Sequence, residues 1–165
     1  MEKVLVSACF LGNPVRYNGT DLNVAEKVDT QAQAILDTWA KEGRIVSICP
    51  EVSGGLPTPR PPAELQLDGR VVDDTGEDVS SEFLKGAENA LALCERFNIK
   101  VAVLTESSPS CGSTLVYDGH FSNTKIPGQG ITAKLLSEHG IKVFSQFSLE
   151  EAKALIEALD AGREM

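Results

Sequence analysis

The stretch Lys3-Val4-Leu5-Val6-Ser7-Ala8 is short, continuous and mostly apolar, and it runs directly into Cys9. Short, continuous apolar runs are typical of strands that are buried on both faces, as in parallel sheets. Three later runs have the same character, at residues 44–48, 100–104 and 141–144. The sequence therefore predicts four buried strands that lie side by side in parallel.

Helical patterns separate these runs. Residues 24–42 and 79–97 carry apolar side chains at intervals of three and four, which predicts two amphipathic helices. Gly43 is suited to end the first helix, and Asp78 is suited to cap the second. A shorter helix is expected over residues 131–138. A last one is expected over 148–159, opened by a capping box.

The alternation of strand and helix predicts an α/β fold. We expect one domain over residues 1–165, a three-layer open sheet of mainly parallel strands with helices on both faces, Rossmann-like or flavodoxin-like. The expected strand order is second, first, third, fourth. Residues 69–72 are expected to add an edge strand or a hairpin. Residues 50–67 and 107–130 are interpreted as long loops without regular structure, and such loops are usually functional.

Composition narrows the class of protein. The chain has 165 residues, of which 42% are apolar and 24% charged, the balance of a globular protein. No apolar stretch is long enough to cross a membrane, and the first residues lack the pattern of a signal peptide, so we expect a cytoplasmic protein without a membrane partner. The net charge of −9, with scattered basic residues, makes a nucleic-acid partner unlikely and favours a small molecule. The oligomeric state stays open.

Three of the four cysteines follow predicted strands. Cys9 follows the first strand, Cys49 the second, and Cys111 lies in the loop after the third. Ligands of open α/β sheets bind beyond the carboxyl ends of the strands, so three thiols are expected at one edge. Such a set suits a soft metal or an iron–sulfur cluster with one position left open, although small core thiols are the alternative. Cys94 lies on the apolar stripe of a predicted helix and is interpreted as a core residue.

Other polar residues flank these cysteines. Glu51, two residues after Cys49, is suited to move protons at the same site, although an isolated loop glutamate is more often only solvated. Arg16 and Tyr17 could hold a planar or anionic group, and otherwise form a surface pair; Arg60 has the same two interpretations. The serines around Cys111 could bind sulfur or substrate, or simply make a turn.

Residues 128–133 fit the letters of a dinucleotide fingerprint, but they do not follow a strand, so we interpret them as a helix start that could help to bind an anion.

Four motifs occur together in this chain: VSACFLG at residues 6–12, VRYNG at 15–19, CPEVSGGLPTPR at 49–60 and SPSCGS at 108–113. With them, the chain from residue 3 to about 144 resembles the bacterial thiouracil desulfidase family, long classed as a domain of unknown function. Phe10 and Asn18 depart from the family pattern, where a second leucine and an aspartate are frequent.

The resemblance implies both a cofactor and an activity. It implies a [4Fe-4S] cluster held by Cys9, Cys49 and Cys111, whose open iron takes the sulfur of a thionucleobase. Water's oxygen then replaces that sulfur without redox change, so that 2- or 4-thiouracil gives uracil and sulfide. The family's catalytic residues fall on Glu51 and Ser108, and we expect substrate contacts from Arg16, Tyr17 and Ser110. The alternatives are desulfuration of thiouridine in nucleosides or transfer RNA, sulfur transfer, and a non-enzymatic sensor that binds a metal or cluster.

Overall fold

The computed structural model describes residues 2–8, 30–57, 61, 63–66, 68–104, 110, 115–117, 119–121, 124–145 and 147–164. In chain order, the strands are β1 (Val4–Ser7), β2 (Ile45–Ile48), β3 (Ala63–Leu65), β4 (Val71–Asp73), β5 (Val101–Val103), β6 (Leu115–Tyr117), β7 (Lys125–Pro127) and β8 (Lys142–Phe144). The helices are α1 (Thr30–Lys41), α2 (Pro50–Ser53), α3 (Ser80–Arg96), α4 (Ile131–Glu138) and α5 (Leu149–Glu164).

A four-stranded parallel sheet forms the centre of the fold, in the order β2-β1-β5-β8. The register sets Val4 of β1 opposite Ile45 of β2 and Val101 of β5. The two central strands are buried along their whole length, which is why their sequences are continuous apolar runs. The predicted strands and their order are confirmed. The expectation that all four are buried holds only for β1 and β5, because the outer strands β2 and β8 are partly exposed.

Helices cover both faces of this sheet. Alternate residues of a strand point to opposite faces, so Val4 and Val6 of β1 pack with α1 and α5, whereas Leu5 packs with α3 and α4. The face of α1 and α5 contributes Ala32, Leu36, Trp39, Leu149, Ala152 and Ile156. The opposite face contributes Ala90, Cys94 and Leu136. The predicted three-layer α/β fold is confirmed.

The helix ends mostly follow the sequence signals. Gly43 has a φ of +71° after α1, and the next N–H, that of Arg44, donates to the Trp39 carbonyl at 3.0 Å, which closes the helix. Val79 occupies the N-cap position of α3, one residue later than predicted. The carboxylate of Asp78 nevertheless accepts the N–H of Ser80 at 2.9 Å and so satisfies a free donor of the first turn. Residues 24–29 of the first predicted helix lie outside the described residues.

The two segments expected to lack regular structure contain short elements, so that prediction is wrong. The first includes α2 and strand β3, which pairs with β4 as an antiparallel hairpin. The hairpin alternative for residues 69–72 is thereby confirmed. The second includes the antiparallel hairpin of β6 and β7. The buried carboxylate of Glu64 on β3 joins the two hairpins, since it accepts the N–H groups of Gly119 and Phe121 at 3.0 and 3.2 Å.

Helix α5 extends to Glu164, five residues beyond its predicted end. Its Asp160 accepts the Glu2 backbone N–H at 2.7 Å and pairs with the Arg44 guanidinium at 2.8 Å. These contacts hold the last turns of α5 against the edge where β1 and β2 begin. Among the described residues, no helix is long and apolar enough to cross a membrane.

Candidate functional site

The carboxyl ends of β2, β1 and β5 are neighbours at one edge of the sheet. Ser7 and Ile48 form the last pair between β1 and β2. Ala8 directly follows β1, and Cys49 directly follows β2. Neighbouring strands lie roughly 4.8 Å apart, so a residue just beyond β1 starts close to one just beyond β2. The Cys49 position at this edge agrees with the sequence prediction.

Cys49 and Glu51 share a single turn of helix. Cys49 has extended backbone angles, with φ −109° and ψ 105°, and occupies the N-cap position of α2. Pro50 follows at the first helical position, where its fixed φ fits and its missing N–H has no intrahelical partner to lose. The Ser53 N–H donates to the Cys49 carbonyl at 2.9 Å. Both Cys49 and Glu51 are half-buried, so a thiol and a carboxylate lie on the same turn at this edge.

Ser110 lies beside the start of α4, within the motif that leads into Cys111. Its side chain is fully buried, and its hydroxyl is 2.6 Å from that of Thr132. Its carbonyl accepts the N–H groups of Thr132 and Ala133 at 2.8 and 3.1 Å. The predicted helix start is therefore confirmed, but two of its N–H groups bond Ser110 and are not available to an anion.

Cys94 differs from Cys49 in its burial and in its place in the fold. It lies inside α3, is 1% exposed, and packs against the sheet residues Leu5 and Ala102. Burial raises the pKa of its thiol to about 12, which keeps it neutral at physiological pH. The prediction that Cys94 is a core residue is confirmed.

Several predicted site residues lie outside the described residues. These are Cys9, Cys111, Ser108, Arg16, Tyr17 and Arg60. Among the described residues, no three histidine, cysteine, aspartate or glutamate side chains gather as a metal site, and only one of the three expected thiol ligands belongs to that part of the chain. The three-cysteine ligand set, the catalytic pair and the substrate contacts stay predictions.

The structure adds two residues that the sequence interpretation missed. Thr132 holds Ser110, and Gly86 of α3 lies against Pro50, next to Cys49. The available signals were a hydroxyl residue in the first turn of α4 and a glycine in the interior of a long helix. An interior glycine disfavours the helix by about 1 kcal/mol relative to alanine, so it usually has a packing reason.

Comparison with known proteins identifies the family. The family model described as 2-thiouracil desulfurase matches residues 4–147. The uncharacterized protein YbbK of Bacillus subtilis (strain 168) is 39% identical over 157 residues, which cover 90% of this chain and 98% of YbbK. The solved structure of the [4Fe-4S]-dependent thiouracil desulfidase TudS is 47% identical, with a TM-score of 0.87, over 96% of this chain and 99% of that chain. The chain belongs to the 2-thiouracil desulfurase family.

Proposed function

We propose that this protein is an iron–sulfur-dependent desulfidase that converts 2- or 4-thiouracil to uracil. Water supplies the new carbonyl oxygen, and the sulfur leaves as sulfide, so atoms balance without an oxidant or reductant. The observation that carries the proposal is the Cys49–Glu51 turn at the carboxyl edge of the sheet, in a chain of this family. The similarity to TudS over nearly the whole chain supports the same activity.

Cys9, Cys49 and Cys111 would hold the [4Fe-4S] cluster. The donor set fits the group, because thiolates are the usual ligands of such clusters. The half-buried position of Cys49 at the edge of the sheet also fits a ligand better than the buried position of Cys94. When bound, a cluster with three protein ligands supplies a Lewis acid for the substrate sulfur.

Glu51 is proposed as the acid–base residue. Its carboxylate would take a proton from the attacking water and return one to the departing sulfur. Since Glu51 follows Cys49 by two residues on one helical turn, the turn would keep the proposed acid–base residue at a fixed position relative to the proposed ligand. Ser108 is proposed to hydrogen-bond the substrate or relay that proton.

Substrate contacts are proposed for three further residues. Arg16 and Tyr17 offer a planar cation and an aromatic ring to a nucleobase. For Ser110, the buried bond with Thr132 favours a role in holding the Cys111 loop, and its substrate contact stays a prediction. The net charge of −9 favours a free base over RNA. Thiolate ligands also favour the reducing cytoplasm as the compartment.

Two cysteine variants test this proposal as a matched pair. Cys49→Ser is expected to lose both iron and turnover, because serine is a poor ligand for a soft metal. Cys94→Ala is expected to keep both, since Cys94 only packs in the core. The measurement counts iron and sulfide per chain after anaerobic reconstitution and then follows uracil release from 2- and 4-thiouracil. Full turnover by Cys49→Ser would contradict the proposal.

A further inference from the structure

Helix α3 has a glycine, Gly86, in its interior and on its buried side. Glycine there disfavours the helix by about 1 kcal/mol relative to alanine. A β-carbon at this position would overlap the carbonyl group of Pro50. The missing side chain therefore lets the backbone of α3 touch the backbone of the turn that follows Cys49.

A second glycine completes this contact from the other side. Gly54 is buried directly after α2, and a β-carbon there would overlap the Glu82 carbonyl of α3 and lie 3.1 Å from the Gly86 nitrogen. Each glycine thus leaves room for the partner's backbone. The one-turn helix and α3 meet without side chains between them at two points.

Asn89 fixes the far end of the same turn. It lies three residues after Gly86, on the same face of α3. Its side-chain amide donates to the Ser53 carbonyl at 3.2 Å and contacts the Ser53 hydroxyl at 2.9 Å. The last carbonyls of a helix have no intrahelical donor, so this amide satisfies one of them.

We infer that Gly54, Gly86 and Asn89, here called the glycine seat, are positioning residues for Cys49 and Glu51. The inference rests on the proposed function, which assigns those two residues their roles. A helix of four residues has few internal bonds to fix its own position. Helix α3, in contrast, is anchored by the buried residues Phe83, Ala87, Ala90 and Cys94. Because the glycine seat joins the turn to α3, the fixed position of α3 also fixes the position of the turn.

Two variants test the glycine seat, with one control. Gly86→Ala forces the turn away from α3, and Asn89→Ala removes the bonds to Ser53 while leaving the backbone contact. Gln33→Ala is the matched control, because it also removes an exposed amide bond on a helix, from Gln33 to Asp37 at 3.0 Å. Each protein is reconstituted without oxygen. The readouts are iron release to a chelator, kcat and KM with 2-thiouracil, and thermal unfolding.

Both seat variants are expected to release iron about tenfold faster than wild type, the usual effect of losing a partner that orients a ligand. The value of kcat should fall by more than KM rises, because the ligand and the acid–base group are displaced together. Gln33→Ala should match wild type in all readouts. Iron release separates the seat from general stability, since a merely structural role would lower the melting temperature alone.

Wild-type iron release and kcat in both variants would overturn the inference, as would a lower melting temperature with no other change. If Gly86→Ala does not fold, Asn89→Ala alone decides by the same criteria. A wild-type protein that loads no iron would contradict the proposed function and the inference together. Iron loading without turnover in the wild type would contradict only the proposed activity, and iron release would still decide on the seat.

Discussion

The two edges of the central sheet are built differently. At the amino edge, where β1 and β2 begin, Asp160 accepts the Glu2 N–H at 2.7 Å and pairs with Arg44 at 2.8 Å. At the edge where these strands end, Cys49 and Glu51 lie on one short turn that is held by α3. The first edge pairs Asp160 with Arg44, and the second carries a thiol and a carboxylate on a short turn that packs against α3.

The two edges are therefore expected to respond differently to substitution. Reactive groups on loops depend on a rigid scaffold for their position, and matched charges contribute mainly to folding. Substitutions at the carboxyl edge should change the cluster and turnover more than stability. Substitutions at the amino edge should do the reverse.

Glu51→Gln should have the largest effect on turnover among the residues that do not ligate the cluster. The amide keeps the shape but cannot accept the proton, so we expect kcat to fall about 100-fold to 10,000-fold, with the iron content unchanged. Glu150→Gln, an exposed glutamate at the start of α5, is the control and should keep wild-type kcat. Steady-state uracil release checks both. Wild-type kcat in Glu51→Gln would remove Glu51 from the mechanism.

Thr132→Val should have an intermediate effect. Valine keeps the shape but removes the hydroxyl contact with Ser110, next to Cys111, so iron affinity or kcat should fall about tenfold. Thr132→Ser keeps a hydroxyl and should restore both. Thr38→Val is the control, since the exposed Thr38 hydroxyl donates to the Ala34 carbonyl within α1 at 2.9 Å. Iron content and kcat that are equal in the valine and serine variants would show that the contact does not support the site.

The amino edge should respond in stability alone. Asp160→Asn removes the charge that pairs with Arg44, and we expect a loss of about 1 kcal/mol, or about 2–4 °C in melting temperature. Iron content and kcat should not change. An equal loss of turnover would remove the distinction between the two edges.

The effect of Asp160→Asn on the melting temperature should also depend on pH. The Glu2 N–H and the Arg44 guanidinium hold the pKa of Asp160 below its usual value, so the folded state favours the ionised carboxylate. This contribution is fully present above the unfolded pKa of about 4 and is lost as the pH falls through the folded pKa. The melting-temperature difference between wild type and Asp160→Asn should therefore be constant near neutral pH and shrink below about pH 4. A difference that grows in acid would contradict this assignment.

The main sheet was predictable because its strands are short apolar runs separated by helical patterns, and the two central strands are buried along their whole length. The hairpin of β6 and β7 was not predictable, since strands of three residues such as Leu115–Tyr117 and Lys125–Pro127 carry too little periodic signal. The end of α5 was also missed. Its last turns are held by the contact of Asp160 with Glu2, a tertiary interaction that local sequence does not reveal.

Part of the candidate site could be predicted from position alone. Cys49 directly follows an apolar run, and that run forms β2 of the parallel sheet, so the predicted position of Cys49 at the carboxyl edge was correct. Cys94 was recognised by its helical spacing. Gly86 and Thr132 were missed, because their partners Pro50 and Ser110 are more than twenty residues away and the contacts depend on how α3 and α4 pack.

The most direct test of the account is product analysis on the wild-type protein, reconstituted and assayed without oxygen. Iron and sulfide are counted per chain, 2-thiouracil is added, and uracil and released sulfide are measured together. We expect about four irons per chain, as in a [4Fe-4S] cluster, and uracil and sulfide formed in equal amounts. A protein that holds no iron, or that holds a full cluster and releases no uracil, would contradict the proposed function.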